Sequence, residues 1–388
     1  MNNEWIKLAQ DTIDQNEIND LADWVRQNNQ LTKGPLTKQF EKEFAAYIGS
    51  QYAVFVNSGS SANLLMYYAC LEQGKLKNKK VVVPAISWIT TLSPAMQLGF
   101  EPILCDADKN NLGLDVEHFE HLCKTEKPAL AILVHVLAHL NDMDRIIAIC
   151  KKYDVVLLED ACEALGSENK GIKAGNFGLA GSFSCYYGHH ISTIEGGIVV
   201  TNDRELYNIM LSIRSHGWSR DIEPEYQVAW KADYEVDEFR NLYTFYYPGF
   251  NLRSTDLNAF LGLSQLKKMD SIVAKRAANF EFYKKYLPVD VFHQKSETAI
   301  LSSFAFGTFA KNRLAVFNHL RNNKIECRPL VCGSMGRQPF WVKKYGELHL
   351  ANADKIHDYG LYLPNHDKLT EEQIKFICEK FMEVAIHI

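Results

Sequence analysis

Apolar residues recur along the chain with two periods, and each period predicts a different element. In "LTKQFEKEFAAYIG", Phe40, Phe44, Tyr47 and Ile48 fall at i, i+4, i+7 and i+8, one face of a helix that stops at Gly49. The next run, "YAVFV", is short, β-branched and aromatic, and predicts a strand. "NSGSSANLLMYYACLEQG" then passes through small, permissive residues into an amphipathic helix. Strand-like runs return in "KVVVPAIS", "LAILVHV" and "VVLLED", each followed by a helical pattern such as "MDRIIAICKKY". Continuous apolar strands alternating with helices imply a mostly parallel sheet covered on both faces. After Pro248, "STDLNAFLGLSQLKKMDSIVAKRAANFEFYKKYL" predicts one helix, and the last third mixes strands and helices. A chain of 388 residues is long for one domain. We expect a large α/β domain over 1–275, N-terminal segment included, and a smaller C-terminal α+β domain over 276–388.

Composition narrows the setting. The formal charge of −5 comes from interspersed acidic and basic residues, with no basic stripe or acidic tail, so neither nucleic acid nor an anionic membrane is expected as a partner. "MNNEWIKLAQDTIDQNE" has no apolar core of a leader, and no run approaches the roughly 18 apolar residues of a membrane span. Nine cysteines are an odd number, and Cys105 and Cys185 lie inside apolar runs, which suits buried thiols in a reducing cytoplasm better than disulfides. The nearest pair is Cys327 and Cys332, and no CxC or CxxC occurs. Hence no metal or iron–sulfur cluster is expected.

Three segments carry candidate chemistry. In "NSGSSANLL", Gly59 lets the backbone approach a ligand, and the N–H groups of Gly59, Ser60 and Ser61 open onto a helix N-terminus. Such a turn suits an anion, and equally a plain cap. In "VVLLEDACEALG", Asp160 ends an apolar strand at the carboxyl edge of the sheet, where open α/β sheets hold ligands. It suits an N-cap, or a buried carboxylate holding a protonated pyridine nitrogen. Glu163 follows on the first helical turn. The third segment, "GSFSCYYGHHISTIEGGIVVT", is a strand, an irregular crossing with two histidines, and a Gly-Gly before another strand.

With "GPLTKQFEKEFAAYIG", "SGSSANLL", "VVPAISWITT", "ACEALG", "EGGIVVTND" and "YPGFNLRSTDLNAFLGLSQL", these segments make most of the chain resemble the DegT/DnrJ/EryC1/StrS sugar aminotransferases. Those are fold-type I enzymes of pyridoxal 5'-phosphate (PLP) that make amino and deoxy sugars on nucleotide carriers. The resemblance implies an aspartate aminotransferase-like fold, a mostly parallel mixed sheet flanked by helices. In the family a serine precedes the cofactor lysine by five positions, and Glu-Gly-Gly begins six beyond it. Here Ser184, His189 and Glu195 hold these positions, so a histidine replaces the lysine, with His190 its neighbour pointing elsewhere.

The resemblance therefore implies PLP, or its amine form pyridoxamine 5'-phosphate (PMP), held noncovalently, with His189 as the proton carrier. Histidine at this position marks the family's sugar 3-dehydratases. One kind works on CDP-sugars with a [2Fe–2S] cluster; the other works on GDP-sugars without one. The lack of CxC and the run "GHHISTIEGG" resemble the GDP-sugar kind, which serves colitose biosynthesis. That likeness implies amino transfer from L-glutamate, loss of the sugar C3″ hydroxyl, and release of ammonia by hydrolysis.

Other roles carry over by position. Asp160 matches the ring-nitrogen aspartate, Trp88 the stacking aromatic, and Gly59, Ser60 and Ser184 the phosphate cup. Asn251 matches an asparagine that reaches the partner subunit's phosphate, implying a homodimer with shared sites, and Arg220 reaches across likewise. Glu163 stands where most aminotransferases have glutamine, able to bond the cofactor's O3′ if protonated, to tune His189 if ionised, or to serve as a plain isostere. Glu326 and Arg328, in "IECRPLVCGSMGRQPFW", are candidates for the sugar side. Two other readings stay open: a nucleotide-sugar 4-aminotransferase, which leaves His189 unexplained, and a PLP-fold protein that only binds.

Overall fold

The computed structural model describes residues 4–388. The apolar runs form seven strands: β1 (Tyr52–Val56), β2 (Lys80–Pro84), β3 (Glu101–Cys105), β4 (Leu130–Val134), β5 (Val156–Asp160), β6 (Ala180–Ser184) and β7 (Gly197–Thr201). They lie in the order β1-β7-β6-β5-β4-β2-β3. Pairs β2–β3, β2–β4, β4–β5 and β5–β6 are parallel, whereas β7 is antiparallel to both β1 and β6. Because β7 reverses direction between them, β1 and β6 point the same way. The carboxyl ends of β1, β2, β5 and β6 thus share one edge of the sheet.

Alternate residues of each strand bury on opposite faces, as a pleated strand requires. Val54 and Val56 join a core with Val81, Val83, Ile132 and Leu158. Ala53 and Phe55 join another with Phe183, Ile198 and Val200. The predicted first face is realised in helix Pro35–Ile48, where Phe40, Phe44 and Ile48 are buried. Pro35 opens it, and Gly49, at φ +86°, closes it in the left-handed region.

The stretch predicted as one helix after Pro248 is two, Asp256–Leu266 and Met269–Tyr286. The N–H groups of Lys267 and Lys268 bond to carbonyls three residues back, on Ser264 (3.2 Å) and Gln265 (3.0 Å), and this tighter turn redirects the chain. The Lys268 ammonium is held by Asp14 (2.6 Å) and Glu17 (2.8 Å). The apolar spacing runs on across the joint and hides it. In the second helix Met269, Ile272 and Val273 pack into the sheet's core, while Phe280 and Tyr283 pack into a separate C-terminal core. A division at 275/276 thus falls within a continuous helix shared by both cores.

The C-terminal core is built on an antiparallel sheet of β8 (Phe306–Phe309), β9 (Arg328–Pro329) and β10 (Gly360–Leu363), with helices Arg313–Asn322 and Glu371–Met382. Ile6 also belongs to it, bridging to Ile325, so the N-terminal segment packs on the C-terminal lobe. Among the described residues no helix is long and apolar enough to cross a membrane. All nine cysteines are free thiols, seven of them buried.

Candidate active site

The shared strand edge collects the predicted residues. Helix Gly59–Glu72 follows β1, and its N-cap Ser58 accepts the Ser61 N–H at 3.1 Å. The N–H groups of Gly59 and Ser60 have no acceptor within the helix, as in any first turn, and face the edge. A Cβ at Gly59 would lie 2.7 Å from the Ser184 Cβ and 3.3 Å from the Cys162 Sγ. Three segments therefore converge where only glycine fits, leaving a cradle of backbone N–H groups beside the Ser184 hydroxyl.

Asp160, buried at the end of β5, is held from one side. Its Oδ2 accepts from Asn63 Nδ2 (2.8 Å) and Thr91 Oγ1 (2.7 Å). Asn63 is fixed in turn by the Ser182 hydroxyl at 2.6 Å. Oδ1 accepts the Cys162 N–H at 3.2 Å and has capacity for a further donor. Thr91 belongs to the helix capped by Trp88, whose side chain is 57% exposed beside this edge.

His189 sits half-buried on the turn after β6. Its Nδ1 lies 2.8 Å from the Cys162 carbonyl. A carbonyl can only accept, so Nδ1 carries the proton and Nε2 presents its lone pair. Burial pushes the imidazole pKa down to about 4, with the Cys162 carbonyl and Asp160 pulling it up and Arg276 pushing it down. At neutral pH it is a base. His190 turns away: it is fully buried, its Nε2 bonds the Ser302 carbonyl at 2.7 Å, and burial holds its pKa well below the usual value. The Phe304 ring lies against both, at centroid distances of 5.3 Å and 6.0 Å.

Glu163 accepts the Leu137 N–H at 2.8 Å, and burial pushes its carboxyl up to about 7. Leu137 holds a left-handed φ of +51°, which aims that N–H at the carboxylate. Tyr362 stands between Glu163 and Arg328 and is pushed up to about 12, chiefly by burial.

The remaining predicted residues lie outside this cluster within the chain. Asn251 is exposed, next to Leu252, whose carbonyl accepts the Asn57 N–H at 3.0 Å. Arg220 donates to the Leu242 carbonyl (2.7 Å) and lies 4.2 Å over the Trp218 ring and 5.1 Å over Tyr243. Glu326 accepts the Leu8 N–H at 2.9 Å and, with Arg328, lines a groove of about 400 Å³ that includes Trp5, Lys7 and Arg321. Sequence reasoning missed Asn63, Thr91, Phe304 and the Cys162 carbonyl. A polar Asn63 inside the run "ANLLMYY" was the one visible sign; the others act through tertiary placement alone.

Comparison with known proteins gives a consistent result. The family model described as the DegT/DnrJ/EryC1/StrS aminotransferase family matches residues 12–382. A GDP-4-keto-6-deoxy-D-mannose 3-dehydratase of Yersinia pseudotuberculosis is 37% identical over 385 residues, covering 95% of this chain and 96% of that protein. A crystal structure of GDP-4-keto-6-deoxymannose-3-dehydratase with a trapped PLP-glutamate geminal diamine superposes with a TM-score of 0.87 at 31% identity, covering 97% of this chain and 99% of that one. A variant of such a dehydratase with bound GDP-perosamine superposes equally well, at 0.87 and 32% identity, covering 96% and 99%.

Proposed function

This chain belongs to the DegT/DnrJ/EryC1/StrS aminotransferase family, and we propose that it is a PLP-dependent 3-dehydratase acting on GDP-4-keto-6-deoxy-D-mannose. L-Glutamate supplies the amino group of PMP, ammonia is released, and the product is GDP-4-keto-3,6-dideoxy-D-mannose. The observation that carries this reading is His189 in the cofactor-lysine position, neutral and with Nε2 free. A histidine moves protons but offers no amine with which to anchor the cofactor.

The site's residues fit PLP or PMP. The Gly59 cradle with Ser60 and Ser184 suits a phosphate, the spare capacity of Asp160 Oδ1 suits a protonated ring nitrogen, and Trp88 offers an exposed face for stacking. When bound, the cofactor supplies an electron sink and an exchangeable amino group. Asn63 and Thr91 hold Asp160 so that one oxygen stays available. His189 Nε2 accepts and returns the proton in both half-reactions, while the Cys162 carbonyl keeps Nδ1 protonated. Glu163, with a pKa about 7, can serve as a hydrogen-bond donor near neutrality.

The working unit in this reading is a homodimer, with exposed Asn251 completing the phosphate cup of the partner subunit and Arg220 reaching the same way. Glu326 and Arg328, the candidates for the sugar side, line a groove to which Lys7 and Arg321 add positive charge and Trp5 a stacking face, as a nucleotide sugar requires. Buried free thiols suit a cytoplasmic enzyme.

The test is incubation with PLP, L-glutamate and GDP-4-keto-6-deoxy-D-mannose, followed by assay of ammonia and of a 3-deoxy product. Both are expected. A stable amino sugar without ammonia would instead make the protein a 4-aminotransferase, and no turnover would make it a binder.

A further inference from the structure

Behind His189 the structure buries a positive charge bonded to no carboxylate. Arg276, on the helix shared by the two cores, is 2% exposed, and among the described residues no Asp or Glu forms an ion pair with it, the Asp367 carboxylate favouring its charge from beyond bonding distance. Its Nη1 donates to the carbonyls of Ser303 (3.3 Å), Phe304 (3.0 Å) and Asn365 (2.5 Å), and its Nε has no partner. A buried guanidinium is costly unless its surroundings hold it firmly. Two of these three carbonyls flank the ring that lies against His189. The Phe304 N–H donates to the Leu137 carbonyl at 3.2 Å, and the Leu137 N–H donates to Glu163. One segment therefore ties Arg276 to both His189 and Glu163.

We propose that Arg276 is a positioning residue for the His189 base: it fixes the 303–304 backbone that seats Phe304 against the imidazole and sets a positive charge behind it. The proposal rests on the reading of His189 given above, although its titration test does not. The groups facing His189 are Asp160 and Cys162 from the end of β5, Tyr186 and His190 from its own turn, and Arg276 from the helix behind. Of the charged ones, Asp160 favours the imidazolium and Arg276 opposes it, in the same direction as burial. His190 is itself kept neutral and adds no charge in the working range. Glu163 is turned towards Leu137.

The experiment follows the His189 Cε1–H resonance in the full-length chain carrying ¹³C-labelled histidine, assigned by its loss in His189→Asn. In Arg276→Gln the titration midpoint is expected to rise by about one pH unit, the order that one nearby charge produces. The acid limb of kcat/KM should rise with it. Arg276→Lys keeps the charge but not the planar fork, so its midpoint should stay at the wild-type position while the Phe304 ring-current shift on His189 weakens. A folded Arg276→Gln chain with unmoved midpoint and acid limb would reduce Arg276 to a staple between lobes. If that variant does not fold, a midpoint that climbs in Arg276→Lys despite its retained charge overturns the proposal. Failure of the wild-type chain to release ammonia would overturn the dehydratase reading and leave the titration result standing.

Discussion

Replacing Glu163 with glutamine should make the protein more stable above neutrality and change it little in acid. Glutamine keeps an oxygen to accept the Leu137 N–H, so the change isolates the carboxyl's ionisation. The folded carboxyl is pushed from 4.5 up to about 7, first by burial, then by the negative charge of Asp160, against the pull of the Leu137 N–H. A carboxyl that holds its proton longer when folded contributes stability in full below about pH 4.5, and loses it as pH rises through about 7. A shift of this size corresponds to about 3 kcal/mol at most, less whatever solvent reaches the carboxyl. Urea unfolding of the cofactor-free chains at pH 5 and pH 8 measures it as a double difference, in which His189 and His139 cancel. The glutamine variant should gain about 2 kcal/mol over wild type between these two values. An equal difference at both would show that Glu163 does not hold its proton into the neutral range.

Other expectations concern the loaded enzyme. Borohydride should leave no phosphopyridoxyl group on any lysine, and a modified active-site peptide in mass spectrometry would contradict noncovalent binding. His189→Asn should bind PLP yet lose about 10²–10⁴-fold in turnover, whereas His190→Asn, which keeps a donor for the Ser302 carbonyl, should retain most of it; the reverse would move the base by one residue. Asn251→Ala should weaken PLP retention in equilibrium dialysis, and mixed dimers with His189→Asn should regain about one working site in two, as one intact composite site per mixed dimer predicts. Failure of that complementation would put both residues in one subunit's site.

What the sequence made legible was whatever lies in short runs. Asp160 and Ser184 stand at strand ends marked by apolar patterning, His189 lies on the short crossing just beyond one of them, and the parallel sheet follows from the alternation of strands and helices. The break at Lys267–Lys268 was hidden because the apolar spacing continues through it. Phe304 and Arg276 were invisible for another reason: they lie about a hundred residues from His189, and nothing in "SSFAFG" or "AKRAAN" shows what they will face. The Cys162 carbonyl is a backbone atom, whose role no side-chain identity reveals.

The helix Met269–Tyr286 gears the two lobes to each other. Each residue of an α-helix advances it by about 1.5 Å and turns it by about 100°. Deleting one residue between Val273 and Phe280 would therefore swing the C-terminal lobe by more than a quarter turn, carrying Arg276 or its carbonyl partners away from His189. Chimeras that exchange C-terminal lobes between relatives must accordingly be spliced outside this helix, or within it without changing its residue count, whatever the similarity of the lobes themselves.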